Sequence, residues 1–398
     1  MTLKADRTFE GWVRHYLSRY GATVAIVGVT ILVTLTAAIA SNPAGGGSLS
    51  AALLFGNVGQ SILLWMGISL VLVPVVLWYA LERRRRAKSI DSSLSAAMLR
   101  SVPPYLRLAA KDRYAFGTIV TVRAHPNPAE GWKLKEVEFR VSEAPFELPS
   151  GMKAAYNRFV EDNRDSLRLY NDGTNYMIAR SPTAFTDSPE LVLEARKTQY
   201  SVCRFYQAWA AGDTQRLEAS ALEAITPGEI SFPASTAIHC LVVTKDDRLL
   251  VIKRPPDVGW YPNHWSPTVD ENVSEDDLRF PPDARLGACL ARGLLEELSI
   301  APPDDFEPMD ARILSVFLEG SLPTVGLCAY VPLRLTYDEL KTKFVGRQDI
   351  EFSEERGIPI RELSARSLHG FGACVPMTEY GLMMLMLHTD RDLARILI

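Results

Sequence analysis

Between Arg19 and Glu82 the chain carries no Lys, Arg, Asp or Glu, and two apolar runs, 21–40 and 61–81, fill that gap. Each run has about the 20 residues that a helix needs to cross a hydrocarbon core about 30 Å thick. Only a helix satisfies its own backbone in lipid, so the pattern predicts an N-terminal two-helix transmembrane hairpin. Residues 41–60, rich in Gly, Ser and Asn, read as its connecting loop. Lys4, Arg7, Arg14 and Arg19 precede the first run, Arg83, Arg84, Arg85, Arg86 and Lys88 follow the second, and no base lies between. That asymmetry predicts a multi-pass protein with both termini cytoplasmic and the bilayer itself as a partner.

Beyond residue 90 the pattern changes to short alternating runs and amphipathic stretches, an α/β region. Strands are expected over 116–122 and 136–141, and helices over 152–163 and 194–211. A hairpin is expected where 167–170 and 176–179 flank Asp172-Gly173. Residues 223–234 read as a linker, which divides the chain into an anchor (1–90), a mixed α/β intermediate region (91–230) and a final domain (231–398). In that last domain, 236–244 and 249–253 read as strands joined by the polar turn Lys245-Asp246-Asp247-Arg248. Over 283–300, with Asp283 as N-cap, Leu286, Leu290, Leu294 and Leu298 recur every four residues and give a helix its buried stripe. Arg292 and Glu296 fall on another face, with Glu297 one step round.

Composition narrows the function classes. Apolar residues make up 47% of the 398 positions and charged residues 23%, enough for a packed core. A formal net charge of −4 excludes a basic polyelectrolyte gripping duplex nucleic acid. Five cysteines, Cys203, Cys240, Cys289, Cys328 and Cys374, show no C-x-x-C spacing, so they read as reduced thiols rather than zinc ligands. The acidic cluster Asp270, Glu271, Glu275, Asp276 and Asp277 reads as a solvated loop or a source of metal ligands.

The order strand, hairpin, loop and helix, ending in Arg292-Gly-Leu-Leu-Glu296-Glu297-Leu-Ser299-Ile300, resembles the Nudix family over about residues 235–375. Arg292, Leu294, Glu296, Glu297 and Ile300 match the family box G-x5-E-x7-R-E-U-x-E-E-x-G-U, where U is aliphatic. Four box positions depart from it: Gly293, Ser299, Ala284 and Leu278 stand where the family has Glu, Gly, Glu and Gly. The resemblance implies a mixed sheet sandwiched by helices, with helix glutamates holding Mg²⁺ against a diphosphate. Glu296 and Glu297 are then the catalytic and metal-binding pair, and Glu271 is a third metal ligand if its loop folds back. It also implies phosphate contacts from Lys253 and Arg254, joined by Arg292. Trp260 and Trp265 are candidates for stacking a base or for covering the core.

The pairing of two apolar spans with a degenerate Nudix box is similar to the two-span Nudix effectors of bacterial CBASS anti-phage systems. That likeness implies a receptor-effector of the cell inner membrane that senses a cyclic nucleotide second messenger and disrupts the bilayer as a homo-oligomer. The alternative is a membrane-tethered, Mg²⁺-dependent Nudix hydrolase of nucleoside diphosphate derivatives.

Overall fold

Short runs of β-branched and aromatic residues over 115–142 form β1 (Ala115–Phe116), β2 (Ile119–Ala124), β3 (Trp132–Lys133) and β4 (Val137–Ser142). The computed structural model describes residues 102–106, 115–164, 173–186, 188–258, 261–345, 352–363 and 373–389, all within the unit Asp91–Ile398. Helix α1 (Lys153–Asp162) leads to β5 (Thr174–Ile178), β6 (Leu191–Gln199), α2 (Tyr200–Ala211) and α3 (Thr214–Ile225). Strands β7 (Thr236–Val243), β8 (Arg248–Lys253), β9 (Trp265–Ser266) and β10 (Val269–Asn272) come next, followed by helix α4 (Arg285–Leu298). The chain continues through β11 (Arg312–Glu319), β12 (Thr324–Pro332), α5 (Tyr337–Phe344), β13 (Glu354–Pro359) and α6 (Pro376–Thr389).

Two differences from the sequence pattern have local causes. The helix expected over 194–211 begins only at Tyr200, because Leu191, Leu193 and Ala195 alternate into the core as a strand. Strand β6 pairs with β4 in parallel and with β5 antiparallel, and residues 167–170 of the expected hairpin lie outside the described residues. Helix α4 starts at Arg285, with Ala284 rather than Asp283 at its N-cap and no side-chain cap. The β7–β8 hairpin forms where expected, its turn closed by Asp247 at a left-handed φ of 57°.

The larger sheet runs β1-β2-β11-β12-β7-β8-β13, with β3 on β11, β10 on β7 and β9 on β8. Residues 91–230 thus supply β1, β2 and β3 to the sheet built by residues 231–398. Side chains alternate across this sheet. Ile238, Cys240 and Val242 pack with the α4 stripe Leu286, Leu290, Leu294 and Leu298, while Leu241 and Val243 pack with Met377, Tyr380 and Met384 of α6. The result is a mixed sheet between helices, the sandwich that the Nudix resemblance implies.

The membrane expectation is corrected. Among the described residues no helix is long and apolar enough to cross a bilayer, so neither a transmembrane hairpin nor a multi-pass inner-membrane location is carried forward. The apolar α6 has 14 residues, short of the roughly 20 that a span requires, and its side chains are buried in the protein core. The runs 21–40 and 61–81 lie outside the described residues.

Candidate functional site

Strand β10 sends its two acidic residues to opposite faces of the sheet. Its antiparallel register with β7 sets Glu271 opposite Ile238, on the α4 side, and Asp270 opposite His239, on the other. Two polar centres follow, one on each face.

On the α4 face the centre is Arg292. Its guanidinium lies 3.1 Å from Glu271 Oε1, 2.8 Å from Asp277 Oδ2 and 3.5 Å from Glu296 Oε2, and it donates to the Asn272 carbonyl at 2.8 Å. Asp277 is buried and also accepts from the amide and hydroxyl of Ser274, at 2.8 and 3.0 Å, which curls the acidic loop back onto the helix. Partial burial opposes the charge of Arg292, but the Asp277 hydrogen bond and the Glu271 charge outweigh it and raise its pKa. Burial raises the pKa of Glu271, against the pull of Arg292. Gly293 explains itself here: a Cβ at this position would lie 2.9 Å from Cβ and Cγ of Glu271 and 3.0 Å from Cγ1 of Val269. The space that the family's box glutamate would need is filled by β10.

Mg²⁺ needs several oxygen ligands converging on one open point. Among the described residues no group of three or more His, Cys, Asp or Glu is placed to hold a metal ion. Glu271 and Glu296 are turned to the Arg292 guanidinium, and Glu297 accepts from the Asp270 amide at 3.4 Å. Glu275 lies farther off, against Lys197 and Thr174. This donor set does not fit Mg²⁺, because an internal cation already sits among its carboxylates.

On the α6 face, a cavity of about 210 Å³ is lined by residues of α2, β7, β10, the end of β11 and the loop after β8. His239 Nδ1 lies 3.3 Å from Asp270 Oδ1, and burial lowers the pKa of the imidazole while the Asp270 charge opposes that shift. Glu319 is buried, which raises its pKa, and accepts from the hydroxyls of Tyr261 at 2.7 Å and Ser321 at 3.1 Å. Helix α2 contributes Tyr200, Cys203, Arg204 and Gln207, and the loop after β8 contributes Arg254. Gln207 is buried, and its Oε1 has no hydrogen-bond partner among the described residues.

Of the residues that sequence singles out, Arg254 lines this cavity, whereas Arg292, Glu271, Glu296 and Glu297 do not. Lys253 points instead to Glu354, 3.6 Å away. Trp265 is buried in the core, with the Arg356 guanidinium 4.3 Å from its ring centroid, so it is a covering residue and not an open stacking platform. Trp260 lies outside the described residues. Sequence reasoning passed over Arg204, Gln207, His239 and Glu319, and read Tyr200 as a core aromatic rather than a stacking platform. The spacing of Tyr200, Cys203, Arg204 and Gln207, at i, i+3, i+4 and i+7, is a signal that marks one helix face.

No family model matches the chain, and no curated protein matches it. Solved structures resemble parts of it at low identity. Tm1382, a putative Nudix hydrolase, is 15% identical over 56% of this chain and 94% of its own, with a TM-score of 0.32. The MutT protein of Methanosarcina mazei Go1 is 12% identical over 39% of this chain and 94% of its own, with a TM-score of 0.24. A protein of Deinococcus radiodurans is 15% identical over 37% and 82% respectively, with a TM-score of 0.28.

Proposed function

We propose that the region 91–398 is a receptor that binds a cyclic nucleotide in the α6-face cavity and releases it uncut. The observation that carries this reading is the joint presence of Arg204 and Arg254, from separate elements, in one cavity with polar and apolar walls. Guanidinium groups suit phosphate oxygens, and Tyr200, Val325 and Met377 offer the flat or apolar surface that a base ring requires. The pairing of Arg292 with Glu271 of β10 and Glu296 of α4 supports binding over hydrolysis. Arg292 engages Glu271 and Glu296 on the opposite face of the sheet, away from the cavity. A ligand that favours an associated form would shift the population toward homo-oligomers, the signalling role that the CBASS resemblance implies.

The test is calorimetric titration of the purified full chain with cyclic di- and trinucleotides, followed by chromatography of the recovered ligand and by particle sizing. The expected result is saturable binding that Arg254→Glu abolishes, with the ligand recovered intact. Magnesium-dependent breakdown of the ligand, or of nucleoside diphosphate derivatives, lost in Glu296→Gln, would instead make the protein a hydrolase.

A further inference from the structure

The β10 wall of the cavity offers a hydrogen-bond acceptor. Asp270 presents a carboxylate to it, and among the described residues the only side-chain partner of that carboxylate is His239, at Oδ1. His239 packs against the Phe317 ring, with centroids 5.1 Å apart, so the group that orients the carboxylate is itself held by the core. Gln207 Oε1 lies beneath the opposite wall, buried and with no donor among the described residues. The remaining buried carboxyl, Glu319, already accepts from Tyr261 and Ser321. A ligand seated against Asp270 must therefore bring donors, while the Arg204 and Arg254 guanidiniums of the same lining call for acceptors such as phosphate oxygens.

Resting on the receptor reading above, we infer that the base this cavity selects is guanine, read by Asp270 with His239 as its positioning residue. An ionised carboxylate accepts only. Guanine carries two adjacent donors, N1–H and the 2-amino group, on its Watson–Crick edge, and these match the two carboxylate oxygens. Adenine sets an acceptor nitrogen beside its single amino donor, cytosine does the same, and uracil flanks its one N–H with carbonyls. Each of those edges would point a lone pair at the carboxylate.

The experiment uses the full chain and three probes of the same ring size: cyclic di-GMP, cyclic di-IMP and cyclic di-AMP. Hypoxanthine keeps N1–H and lacks the amino group, so it isolates one of the two contacts. Equilibrium dialysis is expected to rank the guanine ligand first, the hypoxanthine ligand second and the adenine ligand last. A bidentate edge contact corresponds to roughly 5- to 150-fold between first and last. Asp270→Asn, checked for an unchanged melting curve, is expected to bring the guanine and adenine ligands within about threefold of each other. Equal or tighter binding of the adenine ligand by the parent protein overturns the guanine assignment and leaves the receptor reading standing. If none of the three binds at millimolar concentration the guanine assignment falls, and if the cyclic trinucleotides of the titration above fail too, the receptor reading falls with it.

Discussion

Arg292 shows how one side chain settles what a motif can do. The pair of Arg292 and Glu296, four apart on a helix, is visible in the sequence, but alone it is worth only tenths of a kcal/mol. The partner that matters is Asp277, fifteen positions earlier, whose side chain is 3% exposed. No periodicity reports it, because the pairing depends on a loop returning across space. Arg292→Met keeps the stem and removes the charge, leaving a buried carboxylate uncompensated. The expected loss is about 3–5 kcal/mol, read as a lower urea midpoint with an unchanged slope. Glu319 gives a pH signature of opposite origin. Its burial raises its pKa, so the folded chain holds that proton more tightly than the unfolded chain does. The stability so gained is present below the ordinary carboxylate range and is lost as pH climbs through the raised value. Glu319→Gln does not titrate, so its stability relative to the parent is expected to rise from acid to neutral pH in denaturant titrations.

At the level of elements, the leucine stripe of α4 and the β7–β8 hairpin were legible because each carries its own periodicity. Strand β10 was not: Val269-Asp270-Glu271-Asn272 has one apolar residue, and only its pairing with β7 makes it a strand. That short strand decides the site, since its alternation sends Asp270 to the cavity and Glu271 to Arg292. The break between β6 and α2 was hidden for the converse reason, since apolar residues continue through it and only the period changes. Gly293 is the element-scale test. Gly293→Glu restores the residue that the family box carries there, yet its Cβ meets Glu271 at 2.9 Å and must displace β10. The expected cost is about 1–3 kcal/mol, against a gain of roughly 1 kcal/mol or less from helix propensity, so the melting temperature falls.

For the molecule as a whole, the sandwich was legible from the order of elements over 235–375, but the reach of the sheet was not. Strand β2 pairs with β11, and Val120, Val122 and Trp132 share a core with residues of β7, β11 and β12. Cutting the chain at the linker expected over 223–234 would strip one edge of β11 bare and open that core. Residues 231–398 alone are expected to aggregate or to show no cooperative unfolding by circular dichroism, whereas 91–398 melts in one transition. The cavity draws on α2 as well as on β7 and β10, so its lining could not be assembled from the final domain alone. The grip of Arg292 on the acidic loop has a physiological corollary. A positive charge grown on the polypeptide cannot be leached by a chelator or diluted by a fall in cellular magnesium, so that corner of the molecule stays closed through ionic swings that would empty a borrowed cation from its seat.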